Sequence, residues 1–292
     1  MRKILVSFIA ASLLTGGLFA GEASKAESNK AVAQAKEQAQ KEQKKIKIVK
    51  EAVEAVALTH KVLLKLEKGD KDKAIKDLED AIGKLEVVLS APNAPALIPI
   101  DSAIEIVDYP GSIQNIKTAL IAAKALLEED KVQEARLILD TLRSEIVFKV
   151  VSLPLASYPA ALKLAAKFLH ENRIDEAKNV LNAALATFVE VNIITPIPLI
   201  QAIHLVEAAQ SMANKKDKKK TLEYLAEAKL ALKKANALGY VSESDTTYEQ
   251  LEEMIEKVEK EVKGKNRAMK LFEDLIEKLK EFKEKAVKSI NK

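Results

Sequence analysis

The residues able to do chemistry in this chain are few. His60, His170 and His204 are the three imidazoles, and cysteine is absent. No two histidines stand at the short helical spacing that aims a pair of ring nitrogens at one metal, and no thiolate can complete a zinc cage. Without cysteine there are also no disulfides and no thiol nucleophiles. No Gly-x-Ser-x-Gly elbow, phosphate-binding glycine loop or dinucleotide fingerprint occurs. Most carboxylates stand three or four residues from a lysine, the spacing of solvated ion pairs on helix surfaces. Glu105 and Glu190 differ. They take equivalent places in two β-like runs, and Lys149 projects to the same side of a third. On one sheet face the three would form an ion-pair cluster or line a polar pocket.

Two loops add apolar candidates. Tyr109-Pro110-Gly111 and Tyr158-Pro159 each set an aromatic ring beside a proline at equivalent positions. Such a pair either packs under its loop or forms an exposed lip for a peptide or small amphiphile. The densest basic run, Asn214–Lys220 (NKKDKKK), falls in a hairpin turn. It is either a solvated turn or a contact for anionic lipid headgroups. The candidate ligand or client surface is therefore Glu105, Tyr109, Lys149, Tyr158, Pro159 and Glu190. No catalytic, cofactor-binding or metal-binding residue is predicted, and the expectation is a protein that is not an enzyme and needs no cofactor.

Helices must position these side chains. The 292 residues are 48% apolar and 31% charged, with 4% aromatics and no tryptophan. Ala, Leu, Lys and Glu, all good helix formers, dominate. The net charge of +4 comes from interspersed signs, and no basic stripe interleaved with aromatics suggests nucleic acid. Residues 1–23 read as a cleaved signal peptide. Arg2 and Lys3 precede the uncharged run Ile4–Phe19, and small-residue cleavage patterns follow. This predicts a soluble periplasmic protein with no membrane anchor after cleavage. Residues 24–45 are polar and expected to be flexible or helical, lying loosely on the surface.

Residues 46–238 read as a domain of repeated antiparallel helical hairpins in units of about 42 residues. Each hairpin ends its first helix on Leu, has Ala eight residues on, and Leu four beyond. The sets are Leu66/Ala74/Leu78, Leu127/Ala135/Leu139 and Leu169/Ala177/Leu181. A fourth hairpin is looser. Strand-like connections are predicted at Ala103–Tyr109, near Ile146–Lys149 and near Val189–Asn192. They either pair as a small three-stranded sheet or remain extended linkers or helix ends. Alternation puts Ile104, Ile106, Ile146, Phe148, Val150, Val189, Val191 and Ile193 on one apolar face. Ser90–Asp101, with three prolines, is expected to be an apolar loop packed down on the body. Residues 239–292 form a charged helical hairpin that either caps the stack or pairs with a second protomer.

Leu153–Leu162 (LPLASYPAAL), Ala177–Leu185 (AKNVLNAAL) and Ile194–Leu199 (ITPIPL), with the Leu97–Asp101 loop and the export signal, resemble the YfdX protein family over residues 50–235. The C-terminal helices lie outside the resemblance. It implies an exported, mainly helical bacterial protein associated with stress such as acid or drug exposure. It also implies a chaperone-like role and self-association, and it supplies no catalytic residues. The expected partners are unfolded or amphipathic clients. The alternatives are a scaffold for one envelope protein, or a small-ligand-binding protein centred on Glu105, Lys149 and Glu190.

Overall fold

The computed structural model describes residues 22–242, 245–264 and 268–291. The expected signal peptide lies outside them except at its last two residues. No described helix is long and apolar enough to cross a membrane.

The described chain is mainly helical, as its composition predicts. In order, the elements are α1 (Glu22–Lys45), α2 (Lys50–Glu67), α3 (Lys71–Leu89), β1 (Leu97–Val107), α4 (Ile113–Glu128), α5 (Val132–Leu139) and β2 (Glu145–Pro154). There follow α6 (Tyr158–His170), α7 (Ile174–Leu185), β3 (Val189–Pro196), α8 (Ile197–Asn214), α9 (Lys218–Ala237), α10 (Thr246–Lys263) and α11 (Met269–Ile290). The three strands pair in the order β1-β2-β3. Antiparallel pairing shows at the strand ends: Leu155 N–H donates to Ala96 C=O, and Ile197 N–H donates to Ser144 C=O, both at 2.9 Å.

By packing, the chain forms two units. The first comprises residues up to Gln38, Glu105–Val147 and Ile194 onward; the second comprises Ala39–Ile104 and Phe148–Ile193. In the second unit α2, α3, α6 and α7 enclose a core that includes Leu66, Leu78, Leu85, Leu162, Leu169 and Leu181. In the first unit α8, α9, α10 and α11 share one core, which includes Val206, Leu225, Leu251, Phe272 and Leu279. The charged C-terminal hairpin is thus packed on α8 and α9. Asn291, just past α11, uses its side-chain amide as a strand would: Oδ1 accepts from Ile194 N–H at 2.7 Å and Nδ2 donates to Ile194 C=O at 2.9 Å. This covers one pairing position on the edge strand β3.

The helical hairpins close alike. The first residue past each break donates its N–H five residues back: Asp70 to Lys65, Lys131 to Leu126, Arg173 to Phe168 and Asp217 to Met212. The preceding residue is left-handed each time, with φ of 76° at Gly69, 58° at Asp130, 60° at Asn172 and 63° at Lys216. That is the Schellman closure of a helix C-terminus.

Two expectations need correction. The second half of the presumed loop Ser90–Asp101 is strand, because β1 begins at Leu97 rather than Ala103. Its Pro99 is tolerated because β1 is an edge strand, and the Pro99 carbonyl accepts from Val49 N–H at 3.2 Å. The segment 24–45 lies within one helix, and Ser24 and Ala31 are buried. On the face that alternation assigns, Ile146 on the central strand is buried, whereas Val191 and Ile193 on β3 are exposed.

The hairpins are also unequal in packing. In α2–α3 and α6–α7 the Leu/Ala/Leu sets are all buried. In α4–α5 Ala135 is fully buried, yet Leu127 and Leu139 are 47% and 40% exposed. The sequence similarity sets the turn and the close approach of the small residue, and it does not extend to what covers the leucines.

Candidate functional site

In the first unit the α4–α5 hairpin combines an apolar sequence with little burial. α4 reads IQNIKTALIAAKALLE. Its apolar residues ring most of the helix, which normally marks a helix enclosed on all sides. Instead α4 buries Ile116 and Ala123, and α5 buries Ala135. Leu120, Ile121 and Leu127 on α4, and Val132, Leu137 and Leu139 on α5, are exposed, with Ile121 at 71% and Leu137 at 70%. Leu120 and Leu127 are seven residues apart and share one stripe. Scattered single apolar side chains are ordinary on a surface, and six on one 27-residue hairpin are a concentration of them.

A clamp fixes where this hairpin starts. Ser112 caps α4: its Oγ accepts from Asn115 N–H at 3.2 Å, while Asn115 Oδ1 accepts from Ser112 N–H at 3.0 Å. This reciprocal box satisfies donors at the helix start. Just upstream, Lys234 on α9 donates to the Tyr109 carbonyl at 2.6 Å and lies 3.7 Å from the Asp108 carboxylate. Its ammonium sits 5.9 Å from the centre of the Tyr109 ring. Burial pushes the Lys234 ammonium below the usual lysine range, with Asp108 opposing the shift. The Tyr109 ring folds back on Gly111, where a Cβ would fall 2.5 Å from Cε1, so any larger residue here would push the ring aside.

The clamp continues into β2. Ser144 Oγ donates to Asp108 Oδ1. Ser144 N–H donates to the Tyr240 hydroxyl at 2.8 Å, and that hydroxyl donates to the buried Glu145 at 2.9 Å. Arg143 pairs with Glu145 at 3.3 Å and with Glu105 at 3.9 Å. Burial raises the Tyr240 phenol well above its ordinary range, the Ser144 N–H opposes that, and the adjacent Glu145 carboxylate adds to it. A phenol so held stays protonated and serves as a donor, so the network orients the backbone ahead of α4. Beside it lies a cavity of about 730 Å³ lined by α4, the end of α9 and the last turns of α11.

The predicted site residues are distributed differently. Tyr109 is half-buried and belongs to the clamp. Tyr158 and Pro159 belong to the second unit, open α6, and are buried, Tyr158 completely. They are core residues, not an exposed lip, because the Tyr158 ring packs 5.5 Å from Phe188 and its hydroxyl reaches Thr59. Glu105 has Arg143 as a partner. Glu190 is exposed and accepts from its strand neighbour Asn192 at 3.0 Å, while Lys149 is half-buried on β2. None of these three lines the 730 Å³ cavity. Lys234, Tyr240 and the α4–α5 leucines are the residues sequence reasoning missed. The signal for the leucines was present: α4 carries more apolar faces than one partner helix can cover.

A family model described as YfdX protein matches residues 55–193. Residues 55–193 are a YfdX region. The YfdX match takes in just under half of the chain, including α4 and α5. It stops short of the Pro196–Leu199 element that sequence resemblance included. A crystal structure of Salmonella Typhi YfdX is similar over 50% of this chain and 91% of its own, at 17% identity and a TM-score of 0.37. No curated protein matches the chain.

Proposed function

We propose that this YfdX-type protein is an exported, non-enzymatic binder of unfolded or amphipathic polypeptide segments, and that α4–α5 is its client surface. The observation that carries the reading is the exposure of Leu120, Ile121, Leu127, Val132, Leu137 and Leu139 on one hairpin. Apolar surface of this kind lowers its free energy by covering another apolar surface, at roughly 25 cal/mol per Å² removed from water. Lys124 and Glu128, Lys131 and Glu129, and Arg136 and Asp140 pair at the rim and keep the hairpin solvated when it is empty. The leader-like Met1–Ala23 segment supports a site of action in the cell envelope, and stress association is what YfdX resemblance implies.

The test is light scattering by a heat-denatured model client with purified protein added. The wild-type chain suppresses aggregation near stoichiometric amounts, and the double variant Ile121→Asp/Leu137→Asp loses most of that effect. No suppression at stoichiometric excess, or an unchanged double variant, sinks the proposal. Recovery by crosslinking of a single partner at fixed stoichiometry favours an envelope scaffold instead.

A further inference from the structure

The cavity beside α4 has two kinds of wall. Leu120, Val241, Phe282 and Ala286 make one side apolar, while Lys117, Asn236 and Ser289 bring polar groups to the rest. Two lysines and one described carboxylate line it: Lys117, Lys285 and Asp245. Asp245 is committed elsewhere. Its Oδ1 accepts from Thr247 N–H at 2.9 Å as the cap of α10, and its Oδ2 pairs with Lys285 at 3.1 Å. These contacts hold its carboxyl below the usual range, the capping N–H first and Lys285 next. Lys117 has no ion pair with any described residue, while Lys124, two turns on along the same face, pairs with Glu128.

We infer that this cavity binds one long-chain carboxylate, with the carboxylate on Lys117 and the chain along Leu120, Val241 and Phe282. After Asp245 and Lys285 neutralise each other, one ammonium among the described residues faces a partly apolar space, and a monoanion with an apolar body complements both. The volume, about 730 Å³, lies within the range of cavities that hold small molecules. Leu120 also begins the exposed stripe that continues to Leu127, so a chain longer than the cavity has apolar surface to follow. A fatty carboxylate is favoured over a lysophospholipid because a single lysine matches a compact monoanionic head. The site shares Leu120 with the α4–α5 surface, and Lys117 belongs to this site alone.

The experiment is calorimetric titration of the full chain with sodium laurate below its micellar concentration. Parallel titrations use dodecyl maltoside, dodecyltrimethylammonium and lauroyl lysophosphatidylglycerol. Laurate binds one per chain, and the neutral and cationic amphiphiles bind at least about tenfold more weakly. Lys117→Gln weakens laurate about tenfold and leaves dodecyl maltoside unchanged. Leu120→Asp weakens both. Both substitutions are at exposed positions, and unchanged thermal midpoints confirm folding. Equal affinity for laurate and dodecyl maltoside, a preference for the lysophospholipid, or an unaffected Lys117→Gln variant overturns the inference. Laurate binding without suppression of client aggregation removes the proposed function alone, and the reverse result removes this site alone.

Discussion

The Tyr158 hydroxyl donates to Thr59 Oγ1 at 3.0 Å, and Thr59 in turn donates to the Ala55 carbonyl at 2.9 Å. Both side chains are fully buried. The chain Tyr158–Thr59–Ala55 therefore ties the start of α6 to the middle of α2 inside the second unit. It also explains why a tyrosine, not a phenylalanine, stands in the LPLASYPAAL segment: the ring fills the core and the hydroxyl has a partner waiting.

Tyr158→Phe should cost about 1 kcal/mol at neutral pH, the usual worth of one buried neutral hydrogen bond. The pH dependence is more telling. Burial raises the Tyr158 phenol from 10.0 to about 12, with the Thr59 bond opposing. The folded state holds the proton more tightly than the unfolded state. This share of stability is complete below pH 10 and is lost as pH rises through 12, by about 1.4 kcal/mol per pH unit. Denaturant melts at pH 8 and pH 11 check it. The wild type should fall further than Tyr158→Phe between those values, and parallel losses would contradict the assignment.

The α4–α5 hairpin separates burial from sequence similarity. Ala135 is fully buried, while Ile121 and Leu137 beside it are largely exposed. Ala135→Leu should destabilise by about 1–3 kcal/mol, because added methylenes have no room where the helices meet. Ile121→Asp and Leu137→Asp should each stay within about 0.5 kcal/mol of wild type, as surface substitutions do. Chemical denaturation measures all three, and a large loss at Ile121 or Leu137 would show that the surface is covered.

Much of the architecture was legible in the sequence, for reasons that can be named. Apolar residues at 3.6 spacing, Ala74, Leu78, Ala81, Ile82 and Leu85, place α3, and all are buried except Ile82, which is half-buried. The Gly69 break and the alternation near Ile146 likewise give a turn and a strand where they are found. What was not legible depends on partners distant in sequence. Lys234 looks like any helix-surface lysine until α9 sets it 2.6 Å from the Tyr109 carbonyl. Tyr158 reads as a loop aromatic until α2 presents Thr59, 99 residues away. Proline misled at Pro99, because its bar on strands does not hold at a sheet edge.

Lys234→Met tests the clamp ahead of α4. The variant keeps the aliphatic stem but leaves the Tyr109 carbonyl without its donor, at a cost of about 1–3 kcal/mol. In the wild type, burial holds the Lys234 ammonium below its unfolded value of 10.5. The unfolded state therefore binds the proton more tightly, and stability from this group rises as pH climbs from the folded value toward 10.5. Met removes that rise. Hydrogen exchange should show faster opening from Gly111 through Gln114 in the variant, with α10 and α11 unchanged. Unaltered exchange there would mean that the Ser112–Asn115 box alone fixes the hairpin.

Left-handed residues close the hairpins, and they differ in how well their side chains tolerate that conformation. Gly69 has φ of 76°, and nothing lies within 4 Å of where its Cβ would be. The cost of Gly69→Ala is then conformational alone, about 1 kcal/mol, since no neighbour resists the methyl group. Lys216 occupies the same conformation with φ of 63° and carries a side chain that disfavours it. Its N–H bond to the Ala213 carbonyl, 3.0 Å, belongs to the backbone and survives substitution. Lys216→Gly should therefore stabilise the protein by up to about 1 kcal/mol despite the larger entropy that glycine gives the unfolded chain. Asn172→Gly should gain less, because asparagine already tolerates the left-handed region better than lysine. Thermal midpoints of the three variants, read at one pH and concentration, decide it. A destabilised Lys216→Gly would mean that the lysine side chain makes a compensating contact in the turn.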